Sequence, residues 1–228
     1  TTVNSRFNES SPVFTKDGRT LYFTRNNFVK GKKGKDSTQT TLIKIYKATL
    51  ENGKWTNITA LPFTSDNYST AHPALSPDEK TLYFASDMPG TAGQSDIYKV
   101  GINDGSFGTP INLGKSINTE GKETFPYVTQ DEIYFASDGR PGLGGLDVFV
   151  GQIEDNETIS NIQNVGADIN SPKDDFAYII DPVSRRGYFS SNKDGGQGSD
   201  DIYGFLENKK LKCIQELDGI ITDAITGH

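Results

Sequence analysis

Along this chain apolar and polar positions alternate over short stretches of five to eight residues, and the stretches are separated by turn-forming residues. In "TLYFASD" (81–87) Leu82 and Phe84 alternate with Tyr83 and Ala85, the period-two pattern of a strand packed on both faces. A shorter strand, "PALS", precedes it, joined through Pro77-Asp78-Glu79, a tight turn in which Asp bonds its own backbone. After a Gly-rich loop, "DIYKVGI" (96–102) reads as a third strand. "PINLG", or "WTNITALP" in the first copy, reads as a fourth. No stretch carries a convincing helical period.

The pattern then repeats. "SPVFTKDGRTLYFTRN" (11–26) matches "HPALSPDEKTLYFASD" (72–87), a shorter copy "FPYVTQDEIYFASD" (125–138) and a looser one, "FAYIIDPVSRRGYFSSN" (176–192). The aligned tyrosines are Tyr22, Tyr83, Tyr134 and Tyr188. A second anchor aligns Tyr46, Tyr98, Phe149 and Tyr203, and a third aligns "WTNITALPFTSDNYS", "FGTPINLGKSINTEG" and "ISNIQNVGADINSPK". Four antiparallel strands in roughly 50 residues, repeated, predict an all-β chain of four-stranded propeller blades. One blade cannot bury both of its faces, so stacked neighbours must close the gap with these aromatic side chains. The units run over about 5–60, 61–117, 118–170 and 171–207. The opening residues line up with the ends of later units, so the blades are expected to belong to a larger ring, six-bladed in the parent, with a four-bladed ring as the alternative.

Composition narrows the partners. Thirty acidic against 23 basic residues give a net charge of -7. A polyanion binder carries a basic stripe, so nucleic acid is not expected, nor is adhesion to an anionic membrane surface. No apolar run approaches the ~20 residues of a membrane-spanning helix. A single cysteine, Cys213, excludes an internal disulfide framework.

The motif order P-x-hydrophobic-S-P-D-x-x-T-L-Y-F-A-S-D, then G-x-x-D-I-Y, resembles the WD-like, TolB-type propeller repeat. The wording "HPALSPDEKTLYFASDMPG", "GLGGLDVFV" and "DDFAYII" resembles the repeats of OmpA-family outer-membrane proteins of Bacteroidota, over roughly residues 5–207. Beyond them, 208–228 reads as a linker and, in "LDGIITDAITGH", the start of a carboxypeptidase-regulatory-like β-sandwich. The resemblance implies a non-catalytic periplasmic scaffold associated with the outer membrane, with outer-membrane or periplasmic proteins as partners, some relatives serving secretion or assembly machines. Peptidoglycan binding would come only through a domain missing from this chain. The alternatives are a carbohydrate- or peptide-binding propeller, a propeller glycosidase, or a propeller gating a peptidase.

Site chemistry is sparse. His72 and His228 are the two histidines; His72 stands where other units have Ser11, Phe125 and Phe176, a packing position at the mouth of a blade, with partner or ligand contact as its functional reading. Neither a Ser-His-Asp arrangement nor zinc-ligand spacing is present. Glu9, Glu123 and Asp174 recur with the repeat, with Thr70 in unit two, and are expected to gather near the central channel. There they read as blade caps, with ion or ligand capture or a glycosidase pair as the functional readings. "GGQGSDDIY" (195–203) matches a calcium-binding nonapeptide, but as one copy where that chemistry needs stacked copies. Asp200 and Asp201 are the calcium candidates, against a role in bonding loop amides, which is also expected of Asp96 and Asp147. No other cofactor is expected. Asn26, Asp87, Asp138 and Asn192 end the second strand of each unit and read as turn caps. Unit one departs from the pattern with Lys44 in place of that Asp and with an insert, "NNFVKGKKGKDSTQTT" (26–41). Its Lys30, Lys32, Lys33 and Lys35 read as a solvated hairpin tip or a partner contact.

Overall fold

A computed structural model describes residues 3–5, 8–29, 32–33 and 41–209. Cys213, His228 and the proposed sandwich start lie outside the described residues, as do Lys30 and Lys35. Every regular element described is a strand. Blade 1 is a sheet of β1 (Glu9–Phe14), β2 (Thr20–Asn26), β5 (Ile43–Glu51) and β6 (Lys54–Ala60), with a two-stranded β3 (Phe28–Val29) and β4 (Lys32–Lys33) inserted. Blade 2 comprises β7 (Thr70–Leu75), β8 (Thr81–Ser86), β9 (Asp96–Asn103), β10 (Ser106–Phe107) and β11 (Ile111–Asn112). Blade 3 comprises β12 (Glu123–Val128), β13 (Glu132–Ser137), β14 (Asp147–Ile153) and β15 (Ile159–Asn164). Blade 4 has β16 (Asp175–Ile180), β17 (Arg186–Ser191) and β18 (Asp201–Leu206) among the described residues. These are the antiparallel blades of a β-propeller, in the order the repeats predict.

In blade 2 the outermost strand is split. β10 and β11 both pair with β9, and the interruption spans Gly108–Pro110, where proline has no N–H to give to a ladder. Each inner strand carries a bulge at the same place. Ladder pairing skips between Ser10 and Val13, Ala71 and Ala74, Thr124 and Tyr127, and Phe176 and Ile179. One residue of each bulge, Ser11, His72, Phe125 or Ala177, sits in the left-handed region, at φ between 49° and 54°. Such conformations bend the strand and re-aim its side chains.

The alternation read from sequence is what joins the blades. Leu82, Phe84, Tyr98 and Val100 face blade 1 and pack with Tyr22, Ile45 and Leu61. From the other face of the same strands, Ala85, Ile97 and Tyr83 pack with Val128, Ile133, Phe135 and Phe149 of blade 3. Tyr134, Val148 and Val150 then meet Tyr178, Ile180 and Phe189 of blade 4. A fourth cluster, Leu21, Phe23, Tyr46 and Ala48, lies on the remaining face of blade 1, against Val3, Trp55 and Ile58. The Arg25 guanidinium stands 4.1 Å over the Tyr46 ring on that side. Burying each large side chain contributes roughly 1.5–3 kcal/mol, so the blade interfaces dominate stability.

Candidate functional site

The four inner strands surround a groove of about 640 Å³. Its wall is mainly apolar: Pro12, Pro73 and Pro126 recur on three strands, and Phe14, Tyr127 and Tyr188 add aromatic surface. One bulge residue from each blade reaches it. The Ser11 hydroxyl and His72 Nδ1 are hydrogen-bonded at 2.9 Å, and the His72 ring lies 3.7 Å from that of Phe125, which is 5.0 Å from Phe176. The file crosses all four blades. Burial pushes the His72 imidazole down to about 4, so it is neutral at pH 7. The His72 backbone N–H is in turn anchored to Thr24 Oγ1 of blade 1 at 2.9 Å.

The recurrent carboxylates are elsewhere. Glu123 is fully buried, and its oxygens accept from Thr119 N–H (2.8 Å), Thr119 Oγ1 (2.7 Å) and Ser137 Oγ (2.6 Å). Glu9 accepts from the Ser5 N–H and hydroxyl in the same manner. In blade 4 the equivalent residue is Asp175 rather than Asp174: Asp175 is buried, pairs with Ser191 as Glu123 pairs with Ser137, and accepts from Ser171 N–H at 2.5 Å. Asp174 sits one place earlier, accepting from Leu146 N–H at 2.9 Å. By the same count Ala177, not Phe176, matches His72 and Phe125. None of Glu9, Glu123, Asp174 or Asp175 lines the groove; each is spent on loop amides or hydroxyls.

The remaining repeated positions hold the blades' ends. Asn26, Asp87, Asp138 and Asn192 each accept from the backbone N–H just before an inner strand, that of Asn8, Ser69, Lys122 and Asp174, at 2.6–3.2 Å. Asp96, Asp147 and Asp201 accept from amides of the glycine-rich loop before them. In the place of that Asp, Lys44 pairs with Asp66 at 2.6 Å. Asp200 is exposed, and among the described residues no group of three or more His, Cys, Asp or Glu is placed to hold a metal. Lys32 and Lys33 form β4 of the insert.

One pair of residues was not singled out from sequence. Asn118 is buried, accepts from Ile97 N–H at 2.7 Å, and donates to Ile97 C=O and to Asn112 Oδ1. Asn170 does the same for Val148 and Asn164. Each amide acts as one more rung on the third strand of its blade. The recurring Ile-Asn of "KSINTEG" and "ADINSPK" was the available signal.

The fold is shared with solved structures. TolB from Acinetobacter baumannii superposes with a TM-score of 0.56 at 15% identity, over 91% of this chain and 43% of TolB. The chain has a TolB-type propeller fold. It spans less than half of TolB's length. The TolB-type arrangement is also matched by an α-L-arabinofuranosidase from Lactobacillus brevis (TM-score 0.56, 14% identity, 88% of this chain and 73% of that one). A puromycin-hydrolyzing peptidase from Mycobacterium tuberculosis matches with a TM-score of 0.51 at 14% identity, over 87% of this chain and 30% of its own. No family model and no curated protein matches the sequence. At these identities the likeness is one of fold, which binding proteins and hydrolases share.

Proposed function

We propose that this TolB-type propeller is a non-catalytic protein-interaction scaffold, periplasmic and associated with the outer membrane as part of an OmpA-family protein, and that its inner-strand groove takes part in partner contact. The observation that carries the reading is the division of labour among the side chains. The recurrent carboxylates are spent on loop amides and hydroxyls, while the groove presents mainly proline, aromatic and aliphatic surface around a neutral histidine. Its one lining carboxylate among the described residues, Asp181, accepts from the Val183 and Ser184 amides. Apolar concave surface with few polar groups suits a protein segment better than a reaction needing paired carboxylates. The location and family rest on the repeat wording quoted above. The aromatic wall also favours, as a second reading, capture of a glycan or free peptide.

The test is isolation of the natural protein from detergent-solubilised envelopes, with co-purifying proteins identified by mass spectrometry. Stable outer-membrane or periplasmic partners, lost on Phe14→Lys in the groove wall, are the expected result. A protein that comes out alone, or one that cleaves an arabinan or peptide, would overturn the scaffold reading.

A further inference from the structure

The three internal blade interfaces are built from equivalent residues, and blade 4 repeats those residues on a face left exposed among the described residues. Ile45, Ile97 and Val148, the third-strand residues that face the next blade, are at most 1% exposed; Ile202, at the same register, is 77% exposed. Tyr22 and Tyr134 are 3% and 2% exposed, whereas the aligned Tyr188 is 56% exposed. Leu206 continues the apolar surface, and Ile179 extends it on the inner strand.

A second observation is independent of that surface. In the loop before the third strand, Gly93 and Gly144 lie against the backbone that leads into the next blade: an added Cβ would come closer than 3.0 Å to carbonyl oxygens of Thr119 and Gly121, or of Ser171 and Lys173. Gly198 holds the same place in blade 4. There an added Cβ would meet only its own loop, at 3.2 Å or more, and no positive φ demands glycine. The glycine is kept where, among the described residues, no neighbouring blade approaches.

We propose that this face of blade 4 is an interface for one further propeller blade. That blade would carry the repeat's receiving set, matching Leu82, Phe84, Tyr98 and Val100 of blade 2 in position and character. Blade 1 does not fill this role, because its own receiving set (Leu21, Phe23, Tyr46 and Ala48) is buried against Val3, Trp55 and Ile58. The connector of the incoming blade would lie on Gly198, as Thr119–Gly121 lies on Gly93.

The test is cysteine labelling in a Cys213→Ser background. Ile202→Cys is introduced into residues 1–228 and into the natural protein isolated whole, with Val183→Cys, which is 90% exposed in the native residue, as the accessible control. The expected result is rapid maleimide labelling of Ile202→Cys in residues 1–228 and at least tenfold slower labelling in the natural protein, independent of protein concentration, while Val183→Cys labels rapidly in both. Equal rates at Ile202→Cys in the two proteins would overturn the proposal. Protection that fades on dilution would also overturn it, assigning the face to a second copy. A Gly198→Ala variant that labels faster only in the natural protein would place the connector on the glycine; unchanged protection would remove the connector from the proposal. Failure here leaves the groove-binding test untouched, since Phe14 lies on blade 1.

Discussion

Ser11 and His72, 61 residues apart in sequence, meet at 2.9 Å because each is the left-handed bulge residue of its inner strand. Adjacent blades therefore touch at the groove through a hydroxyl and a neutral imidazole rather than through charge.

Acid should weaken this contact. The folded imidazole titrates near 4 against 6.5 when free, so between these values the unfolded chain binds the extra proton and stability falls as pH drops through the window. The loss attributable to His72 is no more than about 3 kcal/mol. Phenylalanine occupies the same bulge position in blade 3. The drop in stability from pH 7 to pH 4.5, measured by urea unfolding, is accordingly expected to be smaller in His72→Phe by about 2–3 kcal/mol.

Replacing Asn118 or Asn170 by leucine should destabilise by about 2–4 kcal/mol each, because the strand's N–H and C=O stay buried without their partner. Thermal unfolding would read it. Lowered melting temperatures for both, against near-wild-type behaviour of Asn156→Ala at an exposed turn, are the expected pattern.

Gly144→Ala should cost about 1–3 kcal/mol by forcing the blade 3–4 connector away. Gly198→Ala, in residues 1–228, should cost less than about 1 kcal/mol. Denaturant melts of the two variants side by side check the contrast.

Alkaline titration offers a fourth check. Burial raises the phenols of Tyr134 and Tyr178 well above the usual tyrosine range, and for Tyr134 the nearby Glu132 carboxylate adds to the shift. The protonated forms are favoured in the folded state, so their contribution is intact below pH 10 and lost as pH rises above it. Ultraviolet absorbance should show these phenols ionising only with unfolding, and Tyr134→Phe should shift the alkaline midpoint upward.

Much of this architecture was legible in the sequence because a propeller writes its contacts once per blade. Strand order, the faces of Leu82 and Tyr83, the turn caps at Asp87 and Asp138, and the loop-bonding aspartates all follow from aligned copies. Blade 4 was misread by one residue. Aligning Phe176 with Phe125 shifted its acidic position to Asp174, whereas the bulge, which is set by backbone count, puts Ala177 and Asp175 at the shared places. Side-chain identity was a poorer guide there than distance from Tyr188. The groove was harder to foresee than the blades. Glu123 looked like channel chemistry because inner strands line channels, but strand alternation turns its carboxylate toward Thr119 and Ser137. The amide clamps of Asn118 and Asn170 went unnoticed because asparagine in a polar connector looks like any loop residue.

In those connectors two consecutive residues serve different blades, although backbone bonds cross between them, such as the Gln94 N–H of blade 2 donating to the Gly121 carbonyl. Asn118 reaches back to Ile97 of blade 2, and the very next residue, Thr119, reaches forward to Glu123 of blade 3; Asn170 and Ser171 split the same way between blades 3 and 4. For these clamps the change from one blade to the next falls at a single peptide bond. Duplication or exchange of a blade that cuts there keeps the Asn118 and Asn170 amides with the strands they close, whereas a cut at the nearest strand end would strand one amide from its blade.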